Sequence, residues 1–498
     1  MSVNREMKSG LAVRSWQGLA LGAVLVFALA GCDSGSPTEP EIAFSLTPEA
    51  PTVFTGSSIR LSPSALANNA VPAEPLKWST SDAATVSVDA NGVVRGMKPG
   101  SATIRAISSE GDAETLVTVI NGGGTIRTGV FNTCGITTTD GLYCWGDNSL
   151  GQAGIGSRES PLTTPRKVAG GLTFSSVTLG WEHACGMTAT GPYCWGYAGN
   201  GQIGDGSRFT DRSTPTKVPG GEIFSRIEAS GTVTNLASEC SDQICAGHTC
   251  ALTPAGAMYC WGDGALSPTP LQVDARFLTL SLGYDYTCGI DLAHVAFCWG
   301  GAAYRQSSGQ ITNQNALPEL PIRQFFQSIS ASSDHTCAVS IDGDVYCWGA
   351  NTNGQLGATS DDQCYTRFVW TPCRSSPVRV PSDFKFLSVS VGAASPLRVD
   401  LSPKSHTCGV TTTLQIVCWG SNLSGELGNG STLDAQSPTP ISSSMKFRSV
   451  ATGWGHTCAV SLDGAAYCWG LNHRGQLGDG TVIKSAVPVR AGGTLVFK

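Results

Sequence analysis

The sequence predicts an all-β protein, a seven-bladed β-propeller preceded by a small β-sandwich. Three observations carry this. A Cys-Trp-Gly triplet recurs seven times, beginning at Cys144, Cys194, Cys260, Cys298, Cys347, Cys418 and Cys468. Each copy comes with four strand-like runs, and four antiparallel strands repeated around an axis describe a propeller. Only 14% of the residues are charged while 61 are glycine, a balance that favours short strands and tight turns over helices. The net charge of -6, with no run of lysine or arginine, excludes a nucleic-acid surface, which needs a clustered basic face.

Residues 1–31 read as an export signal. Arg5, Lys8 and Arg14 precede the apolar run Leu19 to Ala30, which is too short to span a bilayer comfortably. It ends Leu29-Ala30-Gly31-Cys32, and these four residues resemble the lipobox of bacterial lipoproteins. The resemblance implies that Cys32 is lipidated and that acyl chains hold the protein to a membrane outside the cytoplasm. Residues 32–41 then form a polar linker.

Residues 42–121 lack cysteine and show alternating runs at Ala43–Leu46, Ser58–Leu61, Thr85–Val88, Ala102–Ala106 and Thr115–Val119. Period-2 strands at this spacing describe a sandwich. Lys77-Trp78-Ser79-Thr80-Ser81-Asp82, Asn91-Gly92-Val93-Val94 and Gly96-Met97-Lys98-Pro99-Gly100 resemble the bacterial group 2 Ig-like domain. The resemblance implies a spacer, with Trp78 in its core.

Residues 122–498 hold the repeats, with a period of about 50 residues. The strongest copies are His-Thr-Cys-Ala-Val-Ser-Leu-Asp-Gly-Ala-Ala-Tyr-Cys-Trp-Gly from His456 and its counterparts from His335 and His248; weaker ones start at Asn132, His183, Tyr286 and His406. A Gly-Gln-Leu-Gly-like turn follows in copies one, two, five, six and seven, from Gly151, Gly201, Gly354, Gly425 and Gly475. These repeats resemble the regulator of chromosome condensation family, which implies seven blades. The run Val487-Pro488-Val489-Arg490 aligns with Thr164 to Val168, so the segment up to Lys498 is expected to supply the outer strand of the first blade and close the ring.

The 19 cysteines sort by position. In the last copy, a three-residue loop Leu462-Asp463-Gly464 sets Cys458 opposite Cys468, within disulfide reach. The same spacing of ten pairs Cys134 with Cys144, Cys250 with Cys260, Cys288 with Cys298, Cys337 with Cys347, and Cys408 with Cys418; Cys185 and Cys194, nine apart, need an even-length loop, which Thr188-Ala189-Thr190-Gly191 permits. Cys240 and Cys245 share one insertion and Cys364 and Cys373 another, which predicts two more bridges. Each closure contributes on the order of 2–3 kcal/mol in the denatured-state account. The competing reading is zinc, because His-x-Cys recurs at His183, His248, His335, His406 and His456. Copies one and four lack the histidine yet keep both cysteines, and thiolate sites sit poorly in an oxidising compartment. No metal and no cofactor are expected. The histidines read as hydrogen-bonded residues at a strand start, and the seven repeated tryptophans as packing between blades.

The long insertions at Gly231–Gly247, Gly301–Leu317, Ala358–Pro377 and Val391–Ser405 fall in connections that open on one face. Tyr365, Arg367, Phe368 and Trp370 lie within the Cys364–Cys373 loop, and Tyr304 and Arg305 in a neighbouring link. These residue types anchor interfaces. No nucleophile elbow, zinc-protease motif or phosphate loop is present. The leading expectation is a monomeric, non-enzymatic binding module at the cell envelope that grips a protein or glycan. A nucleotide-exchange activity by family resemblance, or an envelope carbohydrate-active enzyme with carboxylates assembled by folding, are the alternatives.

Overall fold

The computed structural model describes residues 44–65, 75–109, 111–121, 125–230, 247–262, 269–283, 286–300, 324–366, 369–392 and 405–498. Every named element among them is a strand. Residues 42–498 form one compact unit.

The N-terminal sandwich buries alternate residues, as its pattern requires. Strand Gly111–Ile120 buries Ala113, Thr115, Val117 and Val119 and turns the residues between them outward. It pairs antiparallel with Gly100–Ser108 and parallel with Thr52–Phe54. Phe44, Leu46, Val53, Ile59, Val86, Val94 and Ile104 fill the core, and Trp78 packs half-buried against it.

From Ile126 onward the described strands form seven successive antiparallel sheets. All but the fifth run from an inner strand outward in chain order. The first consists of Ile126–Thr128, Asn132–Ile136, Leu142–Gly146 and Leu162–Lys167; the last of Phe447–Thr452, His456–Ser461, Ala466–Gly470 and Ser485–Ala491. The fifth carries an extra strand, because Asp362–Thr366 pairs with Val369–Arg379. The fourth shows three strands among the described residues.

This topology corrects the expected closure. The Pro-Val run near residue 488 pairs with Ala466–Gly470, as the outer strand of the seventh sheet, while Leu162–Lys167 serves the first. The two runs aligned in sequence because they do the same work in neighbouring repeats. What reaches the first sheet is Val496-Phe497-Lys498. Six inner strands are entered through a buried phenylalanine three residues ahead of a core aliphatic: Phe174, Phe224, Phe277, Phe326, Phe386 and Phe447. The first repeat has no such residue of its own, and Phe497 takes the place. Its amide donates to the Gly464 carbonyl at 2.8 Å, as the Phe447 amide does to Leu414 at 2.8 Å. Its ring lies over Gly135, where a Cβ would come within 2.6 Å, as Phe386 lies over Gly409 at 2.5 Å. The Thr125 hydroxyl donates to the Lys498 carbonyl. The inner strand of the first sheet is thus composed of two chain segments nearly four hundred positions apart in the sequence.

The sandwich does not stand off as a spacer. The Arg60 amide donates to the Ile341 carbonyl at 2.8 Å, the Ser58 amide to Gln327 Oε1 at 3.1 Å, and the Arg60 guanidinium lies 3.2 Å from the Asp342 carboxylate. Phe54, 6% exposed, joins an apolar cluster with Leu387. The docking surface is the side of the propeller that carries the hairpin turns between second and third strands.

Truncating Phe497 to alanine is expected to lower unfolding stability by about 3–5 kcal/mol, the usual loss for a buried phenylalanine. Val487→Ala, at a 41% exposed position of the preceding strand, should leave the denaturation midpoint nearly unchanged. Equal midpoints for the two variants in urea titrations would refute the closure by Phe497.

Candidate functional site

The sheets are joined by a repeated latch. Trp145 Nε1 donates to the Gln476 carbonyl at 2.9 Å, Trp195 to Gln152 at 2.9 Å, Trp261 to Gln202 at 3.0 Å, Trp419 to Gln355 at 2.9 Å and Trp469 to Glu426 at 2.9 Å. Each acceptor belongs to the glycine-rich turn of the preceding sheet. The second glycine of that turn lies against the indole: a Cβ on Gly478 would come within 2.7 Å of Trp145 Nε1. The threonine beside the first cysteine donates to the same carbonyl in four cases, Thr133, Thr249, Thr407 and Thr457.

A threonine whose proton goes to that carbonyl accepts from histidine. His456 Nε2 lies 3.2 Å from Thr133, His183 3.0 Å from Thr249, His335 2.9 Å from Thr407 and His406 2.8 Å from Thr457. His248 meets Thr287 at 3.1 Å, and in the fourth repeat Tyr286 Oη replaces the ring, 2.8 Å from Thr336. Neutral imidazole suits this role. Burial holds the protonation of His183 and His406 down to about 3 and that of His248 and His456 to about 4. Repeats three and four lack the glycine-rich turn, and the consequences are local. Trp348 Nε1 has no partner among the described residues, and Trp299 is only half-buried, stacked on Phe277 at 5.1 Å.

Along the axis the inner strands converge. A Cβ on Gly129 would lie 2.8 Å from the Gly180 carbonyl oxygen, and one on Gly180 2.8 Å from that of Ser230. One on Gly283 would lie 2.6 Å from Ser332 O, one on Gly392 2.7 Å from Gly453 O, and one on Gly453 2.5 Å from Gly129 O. Glycine is required where successive backbones approach this closely. The last contact returns to the first sheet.

Two residues earlier, opposite the first cysteine of each repeat, small hydroxyls stitch one sheet to the next. Thr178 Oγ1 accepts from the Ala229 amide at 3.1 Å, Ser281 Oγ from Ala331 at 2.8 Å, Ser330 Oγ from Val391 at 3.1 Å and Ser390 Oγ from Thr452 at 3.1 Å. The first, third and seventh sheets break the series with Arg127, Glu228 and Ala451. This level belongs to an axial chamber of about 420 Å³ lined by inner strands of all seven sheets and, from the sandwich, by Phe54, Thr55 and Ser57. Three arginines line it, Arg127, Arg226 and Arg448, against the single carboxylate of Glu228. Loss of solvent pushes the Glu228 carboxyl up, opposed by Arg127, the Thr178 hydroxyl at 3.2 Å and Arg226.

The sequence reading placed its candidate binding residues in the insertions. Tyr304 and Arg305 lie outside the described residues, as do Cys32, Cys240, Cys245, Arg367 and Phe368. The backbone sets Tyr365 opposite Trp370 in the hairpin added to the fifth sheet. Cys364 and Cys373 are bonded, as are Cys134–Cys144, Cys185–Cys194, Cys250–Cys260, Cys288–Cys298, Cys337–Cys347, Cys408–Cys418 and Cys458–Cys468. The last seven join directly opposed residues of second and third strands. Among the described residues no cluster of three or more histidines, cysteines or carboxylates could hold a metal ion. The chamber was missed because its signal, a charge where the other repeats carry serine or threonine, emerges only once the inner strands are in register.

The fold is that of a repeat-built β-propeller preceded by an Ig-like sandwich. Comparison with known families agrees. Profiles described as the regulator of chromosome condensation (RCC1) repeat match residues 125–152, 326–355 and 447–476, and 140–187, 342–395, 415–460 and 463–495. A profile for the bacterial Ig-like domain (group 2) matches residues 43–119. The chain carries RCC1 repeats behind a bacterial group 2 Ig-like domain. Among solved structures it is similar to Prp20p from Saccharomyces cerevisiae, with a TM-score of 0.57 and 20% identity over 74% of this chain and 87% of that one. It is similar to human WBSCR16 with a TM-score of 0.57 and 16% identity over 71% and 94%. These likenesses describe the fold.

The buried histidines generate a pH dependence. Between their folded values and the ordinary 6.5, the unfolded chain binds more protons than the folded one. Stability is therefore full above about pH 6.5 and falls as pH drops towards 4. Thermal melts at pH 7.5 and 4.5 should show a large drop in midpoint, already under way before exposed carboxylates titrate. An unchanged midpoint would contradict the neutral latch.

Proposed function

We propose that this chain is a lipid-anchored cell-envelope protein that works without catalysis, presenting a disulfide-stapled propeller to a protein or glycan partner. Cys32 carries the lipid. The observation that carries the binding role is the hairpin added to the fifth sheet. It is tied by Cys364–Cys373 and adds Asp362–Thr366 beyond the outer strand, where no other described sheet has an equivalent. Nothing in the repeat architecture needs it, and Tyr365, Arg367, Phe368 and Trp370 are the residue types that anchor interfaces. The sandwich occupies the opposite side of the propeller, which leaves the side bearing the insertions for a partner. The bonded cysteine pairs fit an oxidising compartment, and among the described residues no helix is long and apolar enough to cross a membrane.

The chamber supplies one carboxylate rather than a converging pair, which favours binding over glycosidic-bond chemistry. The published description of Prp20p names its binding properties to Gsp1p and histones. That the fold serves protein partners there supports a binding role here, without transferring either partner.

Two measurements test this reading. Cys32→Ser should move the protein from the membrane to the soluble fraction on cell fractionation; continued sedimentation with membranes would remove the anchor. Phe368→Ala with Trp370→Ala should abolish cross-linking to the envelope partner captured by the native protein, with an unchanged melting midpoint. Retained cross-linking, or loss of folding, would show that the hairpin is not the contact.

A further inference from the structure

The architecture explains small hydroxyls at the level of the axial chamber, since Thr178, Ser281, Ser330 and Ser390 each join one sheet to the next. It does not explain charge there. Arg127 and Glu228 stand where a serine would stitch, in the first and third sheets that flank Thr178. Charged side chains in a confined, partly dehydrated space are costly unless something repays them. Arg226, exposed to the chamber, uses one guanidinium N–H on Thr279 at 3.4 Å; its remaining donors meet no hydrogen-bond acceptor among the described residues. Two further lining hydroxyls, Ser328 Oγ and Ser449 Oγ, are buried without a partner among the described residues. The wall thus holds three guanidinium groups against one carboxylate; Arg448 is spent on the Ser461 and Leu462 carbonyls and Arg127 donates to the Ile126 carbonyl, which leaves Arg226 with donors to offer in a space large enough for a small solute.

We infer that the axial chamber is a binding site for a small oxyanion, a carboxylate or phosphate group, held by Arg226 in the field of Arg127 and modulated by Glu228. Guanidinium groups bind such groups through paired N–H donors, and the unpartnered serine hydroxyls add single hydrogen bonds. Glu228 repels the anion and draws on the same arginines, so it limits affinity. Thr55 and Ser57 of the sandwich complete the lining, which makes the pocket composite: the propeller alone would hold the arginines without that part of the wall. The site is separate from the hairpin of the fifth sheet and does not rest on the lipid anchor.

The test is calorimetric titration of the folded protein, residues 42–498, with inorganic phosphate and separately with glucuronate, at constant ionic strength set by sodium chloride. At least one probe should bind, and the preferred probe distinguishes phosphate from carboxylate. Arg226→Gln should weaken that binding about tenfold, the loss of one charge-assisted hydrogen-bonded pair. Glu228→Gln should act in the opposite direction and tighten it about threefold, through removal of a repelling charge. Melting midpoints of both variants report folding, and a variant that does not fold is replaced by Arg226→Lys or Glu228→Ala. Failure of both anions to bind, or binding that neither substitution changes, would overturn the inference.

Discussion

One backbone carbonyl in each of five repeats carries the ring. In the glycine-rich turn of each complete repeat it accepts an indole N–H, and in most cases also a threonine hydroxyl, from the next sheet. A carbonyl has two acceptor lobes, so one buried group satisfies two buried donors across an interface. The histidine then donates to the threonine and completes a chain of hydrogen bonds in a place sealed from water. Leaving any member out strands the others in an apolar setting, at a cost of roughly 1–3 kcal/mol for each orphaned group. Repeats three and four show the consequence: without the turn, one indole has no partner among the described residues and another is half-exposed.

The same economy governs closure. The seventh sheet meets the first through Gln476, His456, Thr133 and Trp145, the set used elsewhere around the ring. Phe497 then fills the one aromatic position that the first repeat lacks. Between the strands, disulfides tie residues already opposed in the hairpins. They restrain local pairs of strands, whereas the latch and Phe497 bind one sheet to another. Local and global order therefore come from different groups, and both operate in a core with very little charge.

Legibility followed this division. The Cys-Trp-Gly triplets, the His-x-Cys starts and the hairpin loops lie within about fifteen residues, so spacing alone reveals them. The opposition of Cys458 to Cys468 follows from counting through Leu462-Asp463-Gly464, whose glycine takes a φ of +86°. The role of residues 487–490 was misread because a Pro-Val run carries no mark of which neighbour it will join. Phe497 was missed because two residues after a turn look like a frayed end. The docked sandwich was equally hidden: Phe54, Ser58 and Arg60 sit in ordinary strand sequence, and their partners Leu387, Gln327, Ile341 and Asp342 are hundreds of residues away.

By itself the sequence determined the class of fold, the repeat unit and the groups that bind strand to strand, because these depend on residues close together in the chain. Only the tertiary structure decided how the ring closes, where the sandwich rests and which side chains share the axis. Those depend on contacts between distant residues, whose register is set by packing and backbone approach around the whole ring. The charge in the axial chamber belongs to this second kind: Arg127, Arg226 and Glu228 are unremarkable in their own strands and gain meaning only when seven inner strands stand side by side.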